Sequence, residues 1–338
     1  MQPPERGVHW LTWHGHRRSD LPGSHASGLY HSATVRIDEI IATTRPCFSF
    51  EFFPPRTEEG VEGLYETIRV LKPLEPGFVS VTYGAGGATR EGTVEISGTI
   101  RREYGIETMA HLSCVGETRD RLAEILGEIE RAGLENVLAL RGDPPRGETE
   151  FQQPEGGLSS SAELAAFISE RFDFALGGAC FPEVHPEAVG LEADVAFLRT
   201  KVDGGARFLI TQLFFDNQVF FDWLPAARRA GIDVPIIPGV MPITSYAQIK
   251  RFCEICQATI PDPLAEAMEA LGGDEAAELE LGIAYAARQC HELLAAGVPG
   301  IHFYTLNKAP ATRAILGSLR AARPWERAPA QPAAVSAS

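Results

Sequence analysis

The sequence lacks any apolar run that approaches the ~20 residues a membrane-spanning helix needs. Two arginines, Arg17 and Arg18, lie near the N-terminus, but no hydrophobic stretch follows them, which argues against a secretory signal. Cysteine is scarce, and several of the six thiols lie in apolar segments, as is typical of buried free thiols in a reducing compartment. These features predict a cytoplasmic protein.

Basic residues are also in deficit. The 338 residues include 30 Lys plus Arg against 45 Asp plus Glu, a formal net charge of −15. Nucleic acids and anionic membranes both require a basic face, so we expect neither as a partner. A local basic pocket for an anionic cofactor is still compatible with this charge. The hydrophobic fraction of 44% is sufficient for a large folded core.

Several common site motifs are missing. Gly84 and Gly86 follow a predicted strand, but the third glycine of the dinucleotide fingerprint is replaced by Thr89, so this segment is interpreted as a tight turn with free N–H groups. No His, Asp or Glu cluster has metal-ligand spacing, and we expect no metal. The pair Cys253 and Cys256 could indicate a redox or zinc site, but its stripe with Ile249 and Phe252 is typical of the buried face of a helix.

Short β-rich segments alternate with helical segments along most of the chain. Eight are predicted as strands, at 47–53, 77–82, 107–113, 136–141, 174–181, 207–214, 234–240 and 300–306. Helices are predicted at 57–72, 92–104, 118–132, 161–171, 187–203, 217–230, 244–257, about 263–296 and 309–321. Eight such units favour an α/β fold, an eight-stranded parallel (β/α)8 TIM barrel, over an open doubly wound sheet.

The two ends of the chain differ from this pattern. Residues 1–40 show no periodicity, and we expect a disordered or weakly ordered extension, although His14 and His16 leave a metal-binding tail conceivable. Residues 323–338 are rich in Ala, Pro and Ser and are expected to be a disordered tail. The barrel domain is therefore predicted to span 41–322.

Polar residues at the ends of the predicted strands are candidates for chemistry, because these ends meet at one rim of a barrel. Glu51 is surrounded by aromatic residues, which would raise its pKa and suit it to general-acid chemistry, but it could equally point outward. Asp143 could be functional or could pair with Arg141. His185 lies in a loop stiffened by two prolines and could brace that loop or bind a ligand.

Seven motifs occur in order between about residues 46 and 320: SFEFFPP at 49–55, VTYGA at 81–85, ALRGD at 139–143, PEVHPEA at 182–188, ITQLFFD at 210–216, IPGVMP at 237–242 and HFYTLN at 302–307. Together they resemble methylenetetrahydrofolate reductase, in its bacterial form that consists of the catalytic domain alone. The resemblance implies a barrel that holds FAD and reduces 5,10-methylenetetrahydrofolate to 5-methyltetrahydrofolate with NADH or NADPH, in one-carbon metabolism and methionine supply.

The resemblance also implies roles for individual residues. Glu51 matches the general acid, and Asp143 matches a carboxylate that adjusts the flavin and contacts the folate. The residues that match the FAD site are Thr82, Tyr83, Ala85, His111, Arg141, Gly142, Asp143, His185, Ala188, Asp194 and Lys201. Those that match the substrate site are Asp143, Gln212, Gln248, Phe252 and Lys308, with Phe252 stacking on substrate or nicotinamide.

The sequence departs from the family pattern at Ser160, Phe181, Phe197 and Thr200, all of which match positions around the adenosine-diphosphate half of FAD. Two other functions stay open: a related flavin barrel that oxidises an amino acid such as proline, and a flavin-free barrel that binds folate. The expected partners are folate and nicotinamide compounds and further copies of the chain in a homo-oligomer.

Overall fold

The computed structural model describes residues 35–83, 90–143 and 153–326. Nine short strands fill the eight predicted positions, because the seventh is divided in two. They are β1 (Cys47–Phe52), β2 (Phe78–Val81), β3 (Thr108–Ser113), β4 (Asn136–Leu140), β5 (Ala175–Cys180), β6 (Ala206–Thr211), β7 (Ile236–Ile237), β8 (Gly239–Val240) and β9 (Gly300–Tyr304).

Helices follow the strands as the sequence predicts, and one further helix precedes β1. They are α1 (Ile37–Thr43), α2 (Glu58–Leu71), α3 (Arg90–Thr99), α4 (Arg119–Arg131), α5 (Ser161–Ser169), α6 (Leu191–Asp203), α7 (Asn217–Arg229), α8 (Tyr246–Cys256), α9 (Asp262–Ala270), α10 (Glu275–Ala295) and α11 (Pro310–Ala322). The long helical region predicted near 263–296 is two helices, because Gly272 and Gly273 between them adopt positive φ angles of 63° and 85°.

The sheet closes on itself through the divided strand. Its order is β7-β6-β5-β4-β3-β2-β1-β9-β8, with every pair parallel. Pro238 separates β7, which pairs with β6, from β8, which pairs with β9. Proline cannot donate to a ladder, but its carbonyl accepts the N–H of His302 at 2.9 Å. The (β/α)8 barrel is therefore confirmed, and the open sheet is excluded.

Alternation along β1 determines which side chains face the barrel interior. Phe48, Phe50 and Phe52 belong to the cluster between the sheet and the helices, whereas Cys47 belongs to the interior cluster. Successive side chains point to opposite faces of a strand, so Ser49 and Glu51 share the interior side with Cys47. Glu51 thus points inward, which resolves the ambiguity left by the sequence.

The predicted boundary at residue 40 is wrong by several residues. Helix α1 packs Ile37 and Ile41, both fully buried, against Cys47 and Phe78 in the interior cluster. The N–H of Ile37 also donates to the side chain of Asn136, at the start of β4, at 2.8 Å. Helix α1 therefore closes the amino end of the barrel. The earlier residues of the predicted extension, with His14 and His16, lie outside the described residues.

The predicted start of the C-terminal tail is also too early. Residues Pro324–Glu326 form a short 3-10 helix. Pro324 is buried, and Trp325 packs edge-on against Phe48 with ring centroids 5.9 Å apart. These contacts belong to the barrel, because Phe48 faces the helix layer from β1. Residues 327–338 of the expected tail lie outside the described residues.

We expect Ile41→Ala to lower the free energy of unfolding by ~2–5 kcal/mol, because the substitution leaves a cavity beneath the barrel interior. Glu39→Ala on the exposed side of the same helix is the matched control and should change stability by less than ~0.5 kcal/mol. Urea unfolding followed by circular dichroism measures both variants. Equal stabilities would show that α1 contributes nothing to the barrel.

Candidate active site

Four polar side chains meet inside the carboxyl end of the barrel. Glu51 comes from β1, Ser80 from β2, His111 from β3 and His302 from β9. The Glu51 Oε2 atom lies 3.5 Å from Ser80 Oγ, 3.5 Å from His111 Nε2 and 3.4 Å from His302 Nε2. Because active sites of such barrels lie at this end, the cluster is the first component of the candidate site.

The environment of Glu51 opposes the pKa shift that the sequence predicts. Burial does act to raise the pKa of this carboxyl. The hydrogen bond to His302, the electrostatic contacts with His111 and His302, and the contact with Ser80 outweigh burial, and the pKa lies below its ordinary value. The expected rise is therefore wrong for the ligand-free site, where Glu51 is a carboxylate. Sequence could not show this, because the partners come from distant strands.

The sequence analysis missed two members of this cluster: Ser80, which is fully buried in β2, and His302. Its side chain is fully buried, and its Nδ1 atom lies 2.7 Å from Ser49 Oγ. The ring stacks on Phe78 with centroids 5.9 Å apart and meets Tyr304 edge-on. A signal was present, because His302 opens one of the quoted motifs and lies two residues from Tyr304, on the same strand face.

His111 lies beside Glu51 and is absent from the walls of the large cavity described next. Its side chain is almost completely buried. Burial lowers its pKa to about 4, although the Glu51 carboxylate acts in the opposite direction. His111 is therefore a neutral imidazole near pH 7.

A cavity of about 650 Å³ forms the second component of the candidate site. It lies beyond the ends of β4 and β5 and against α6, and its volume is within the range of small-molecule sites. The predicted site residues that line it are Arg141, Gly142, Asp143, His185, Ala188, Asp194, Lys201 and Gln212. The structure thus brings together most of the residues assigned to the FAD site and two assigned to the substrate site, Asp143 and Gln212.

Lys201 provides a buried positive charge in this cavity. Its Nζ atom donates to the carbonyl of Ala179 at 2.8 Å and lies 5.2 Å and 5.9 Å from the ring centroids of Phe197 and Phe181. It has no ion pair within 4 Å among the described residues, and burial lowers its pKa. Burial likewise raises the pKa of Asp194, which lines the same cavity. An ammonium group without a carboxylate partner suits an anionic ligand.

Arg141 and Asp143 flank Gly142, whose backbone has a positive φ angle. The Arg141 guanidinium makes a two-point ion pair with Glu187, with N–O distances of 2.5 and 2.8 Å. Asp143 is exposed at the cavity. Gly142 has a φ of 88°, and a Cβ there would lie 2.9 Å from Ser113 Oγ. Only glycine fits this conformation and this close approach of the backbone.

The remaining predicted residues are spread around the carboxyl end. Thr82 and Tyr83 follow β2, and Lys308 is exposed in the loop after β9. Gln248 and Phe252 lie half-buried on α8. Ala85 lies outside the described residues. None of these five lines the large cavity, so the structure leaves their roles as predictions.

The segment with Cys253 and Cys256 is part of helix α8. Ile249 and Cys253 are buried, and Phe252 and Cys256 pack against the same apolar cluster. The stripe is therefore the inner face of a helix, as predicted. The loop after α8 is attached to the β5–α6 loop, since the N–H of Thr259 donates to Glu183 at 2.8 Å.

The positions that depart from the family pattern have clear local roles. Ser160 caps α5 by accepting the N–H of Glu163. Phe181 and Phe197 form aromatic walls of the cavity, and His185 meets Phe181 edge-on at 4.6 Å. Thr200 donates its hydroxyl to the carbonyl of Phe197. Two of the four positions therefore place aromatic rings on the cavity wall.

A metal site and a membrane span are two further possibilities for the described part of the chain. It contains no group of three or more His, Cys, Asp or Glu residues placed to hold a metal ion. None of its helices combines the length and the apolar character that crossing a membrane requires.

Comparison with known proteins identifies the family. The family model for methylenetetrahydrofolate reductase matches residues 36–320. Methylenetetrahydrofolate reductase (NADH) 1 of Arabidopsis thaliana is 39% identical over 297 residues, which are 84% of this chain and 50% of that protein. The 5,10-methylenetetrahydrofolate reductase of Escherichia coli (strain K12) is 39% identical over 271 residues, 80% of this chain and 90% of that protein.

One solved structure resembles the fold alone. It is an uncharacterized protein from Clostridium thermocellum that binds two copies of 5-methyl-5,6,7,8-tetrahydrofolic acid, with a TM-score of 0.56 and 15% identity. The match covers 84% of this chain and 97% of that chain. The chain spans about half the length of the plant relative and most of the length of the bacterial one. On the family model and these identities, the chain belongs to the methylenetetrahydrofolate reductase family.

Proposed function

We propose that the chain reduces 5,10-methylenetetrahydrofolate to 5-methyltetrahydrofolate with NADH or NADPH and bound FAD, and so supplies methyl groups for methionine. The observation that carries the proposal is Glu51, an inward-facing carboxyl held by three strands at the open end of the barrel. This placement suits a group that exchanges a proton with a bound substrate.

The described residues fit FAD. The buried ammonium of Lys201, which lacks a carboxylate partner within ion-pair distance, suits a diphosphate, and Arg141, paired with Glu187, lies on the same cavity wall. Gly142, on the same cavity wall, lets the backbone turn closely past Ser113 and Val115. When bound, FAD supplies hydride transfer between nicotinamide and folate. Thr82, Tyr83, Ala85, His111, His185, Ala188 and Asp194 are proposed to complete its site.

The chain's own residues then act on the folate. Glu51 donates a proton to the ring nitrogen, which opens the five-membered ring to an iminium. Asp143 lies exposed on the cavity wall and balances the positive charge that develops on this iminium. Gln212 and Gln248 hold the pterin by their amides, Phe252 stacks on it, and Lys308 attracts the folate carboxylates.

Glu51 must be protonated to act as an acid, although its pKa is low in the ligand-free site. A pterin seated above the cluster would exclude water from the exposed 19% of the Glu51 side chain. Loss of that hydration disfavours the charged form and raises the pKa. The substrate itself would thus bring Glu51 into its acidic form.

The preferred nucleotide and a homo-oligomeric state stay predictions. An anaerobic titration with NADH and with NADPH separates the proposed function from its alternatives. We expect a yellow protein that is bleached by one nucleotide and regains its colour with methylenetetrahydrofolate. Bleaching by proline alone would favour amino-acid oxidation, and a colourless protein that binds folate would favour a flavin-free barrel.

We expect Glu51→Gln to keep bound FAD and its reduction by nicotinamide but to slow folate reduction ~10²–10⁴-fold, because only that half-reaction needs the proton donor. Stopped-flow absorbance measures the two half-reactions separately. Folate reduction near the wild-type rate would overturn the assignment.

We expect Asp143→Asn to slow the folate half-reaction on the order of 10²-fold, since one preorganised charge is removed at constant shape. Nicotinamide oxidation should change little, and the flavin potential should rise, because a nearby carboxylate disfavours anionic reduced flavin. Potentiometry and stopped-flow absorbance measure these effects. An unchanged potential with both half-reactions equally impaired would instead indicate a structural role for Asp143.

We expect Lys201→Met to weaken FAD binding ~10-fold or more, because a charge-assisted hydrogen bond to phosphate is lost. Thermal stability of the flavin-free protein should not fall, since burying an unpaired cation costs free energy. Lys250→Met, on the exposed side of α8, is the matched control. Equal flavin content in the two variants would place the diphosphate elsewhere.

A further inference from the structure

The contacts of Glu51 are confined to one of its two carboxylate oxygens. Ser80, His111 and His302 all approach Oε2. No described residue makes a hydrogen bond or ion pair with Oε1. Because the side chain is 19% exposed, Oε1 is the oxygen available to a ligand. The three partners therefore fix which oxygen faces the opening of the barrel.

Among these partners, His302 is held most firmly. It is fully buried, its ring stacks on Phe78, and its Nδ1 lies 2.7 Å from Ser49 Oγ. Ser49 and His302 are direct partners in the β1–β9 register. The contact is thus set by the backbone pairing that closes the barrel, and the imidazole cannot turn away from Glu51 without breaking it.

This geometry accommodates both protonation states of Glu51. When Glu51 is a carboxylate, His302 Nε2–H donates to Oε2 and Nδ1 accepts the Ser49 hydroxyl proton. When Glu51 is protonated on Oε1, the oxygen that faces the opening, Nε2–H still donates to Oε2, which is now the carbonyl oxygen, and Nδ1 still accepts the Ser49 hydroxyl proton. The imidazole is neutral in both arrangements, and no buried polar group loses its partner.

We infer that His302, fixed by Ser49, is the positioning residue that presents Oε1 of Glu51 to the substrate and stabilises the Glu51 carboxylate once the proton has left. The inference rests on the proposed function, in which Glu51 protonates a folate ring nitrogen. In that step the proton leaves Glu51, the carboxylate accepts a hydrogen bond from His302, and a proton from solvent restores the acid before the next turnover.

Besides His302, two described ionisable side chains face the Glu51 carboxyl. His111 approaches it from β3, and Tyr304 faces it from β9 with a pKa raised by burial. Tyr304 donates its hydroxyl to the carbonyl of Thr211 and does not ionise near neutral pH. From β2 the contact is the Ser80 hydroxyl. The direct partners that can carry a charge are therefore the two histidines.

Two substitutions separate the functions of the two ring nitrogens. His302→Asn places an amide near Nδ1, so it retains a partner for Ser49 but loses contact with Glu51. His302→Gln places an amide N–H near Nε2, so it can still donate to Glu51. We expect the Asn variant to raise the pKa of Glu51 by about one unit or more, because a hydrogen bond to a carboxylate is lost. In the Gln variant the pKa of Glu51 should lie close to its value in the unsubstituted protein.

The direct measurement is the titration of Glu51 by ¹³C NMR in FAD-loaded protein labelled at the glutamate δ carbon, with Glu51→Gln identifying the signal. His291→Asn, on α10, is the matched control and should leave the midpoint unchanged. This titration requires no turnover, so it tests the contact even if folate is not the substrate. An unchanged midpoint in His302→Asn would overturn the inference.

Kinetics provides the second readout. Folate reduction slows as the pH rises through the pKa of the acid, so in His302→Asn the alkaline limb of the folate half-reaction should move to higher pH, with a lower plateau rate. Nicotinamide oxidation should be unaffected. A uniform loss in both half-reactions without a shift of the limb would show a purely structural role. If His302→Asn does not fold, Ser49→Ala carries the same test, and an unshifted limb would again overturn the inference.

Discussion

The pairing of β1 with β9 is the constraint on which the rest of the site depends. These strands come from opposite ends of the barrel sequence, and their register sets Ser49 beside His302 and Glu51 beside Tyr304. The same pairing completes the ring of parallel strands. A slip of one residue would turn Glu51 into the helix layer and replace it inside with phenylalanine. The strand pairing that closes the barrel therefore also places Glu51 inside it.

The interior of the barrel is divided by polarity along its axis. Toward the amino end it is filled by apolar side chains, including Phe78, Phe208 and Met109. Toward the carboxyl end it holds Glu51 with its serine and histidine partners. The apolar layer excludes water from below, and this strengthens the electrostatic contacts above it. The cavity against α6 is a separate part of the rim, and neither Glu51 nor His302 lines it.

Much of this arrangement could be predicted from local sequence. Alternation of β-rich and helical segments located the strands, and the residues that end them marked the functional rim. The divided seventh strand could not be predicted, because Pro238 is tolerated only through the carbonyl contact with His302. The burial of α1 was missed because its helix is only seven residues long and its apolar partners belong to distant strands.

The direction of the Glu51 pKa shift shows most clearly what the sequence alone cannot predict. The neighbours in sequence are aromatic, and they predict a raised value. The neighbours in space are His302 and His111, 251 and 60 positions away along the chain, and they reverse the sign. Electrostatics depends on distance in three dimensions, so a pattern along the chain specifies the residue but not its charge state.

Helix α1 covers the amino end of the barrel with Ile37 and Ile41. Among the described residues the Glu51 cluster is therefore closed from the amino end, and the exposed 19% of the Glu51 side chain is reached from the rim. Water and a ligand that approach Glu51 from the rim then compete for the same carboxyl. For the proposed acid, the order in which a proton and a ligand arrive at the rim would become part of the chemistry.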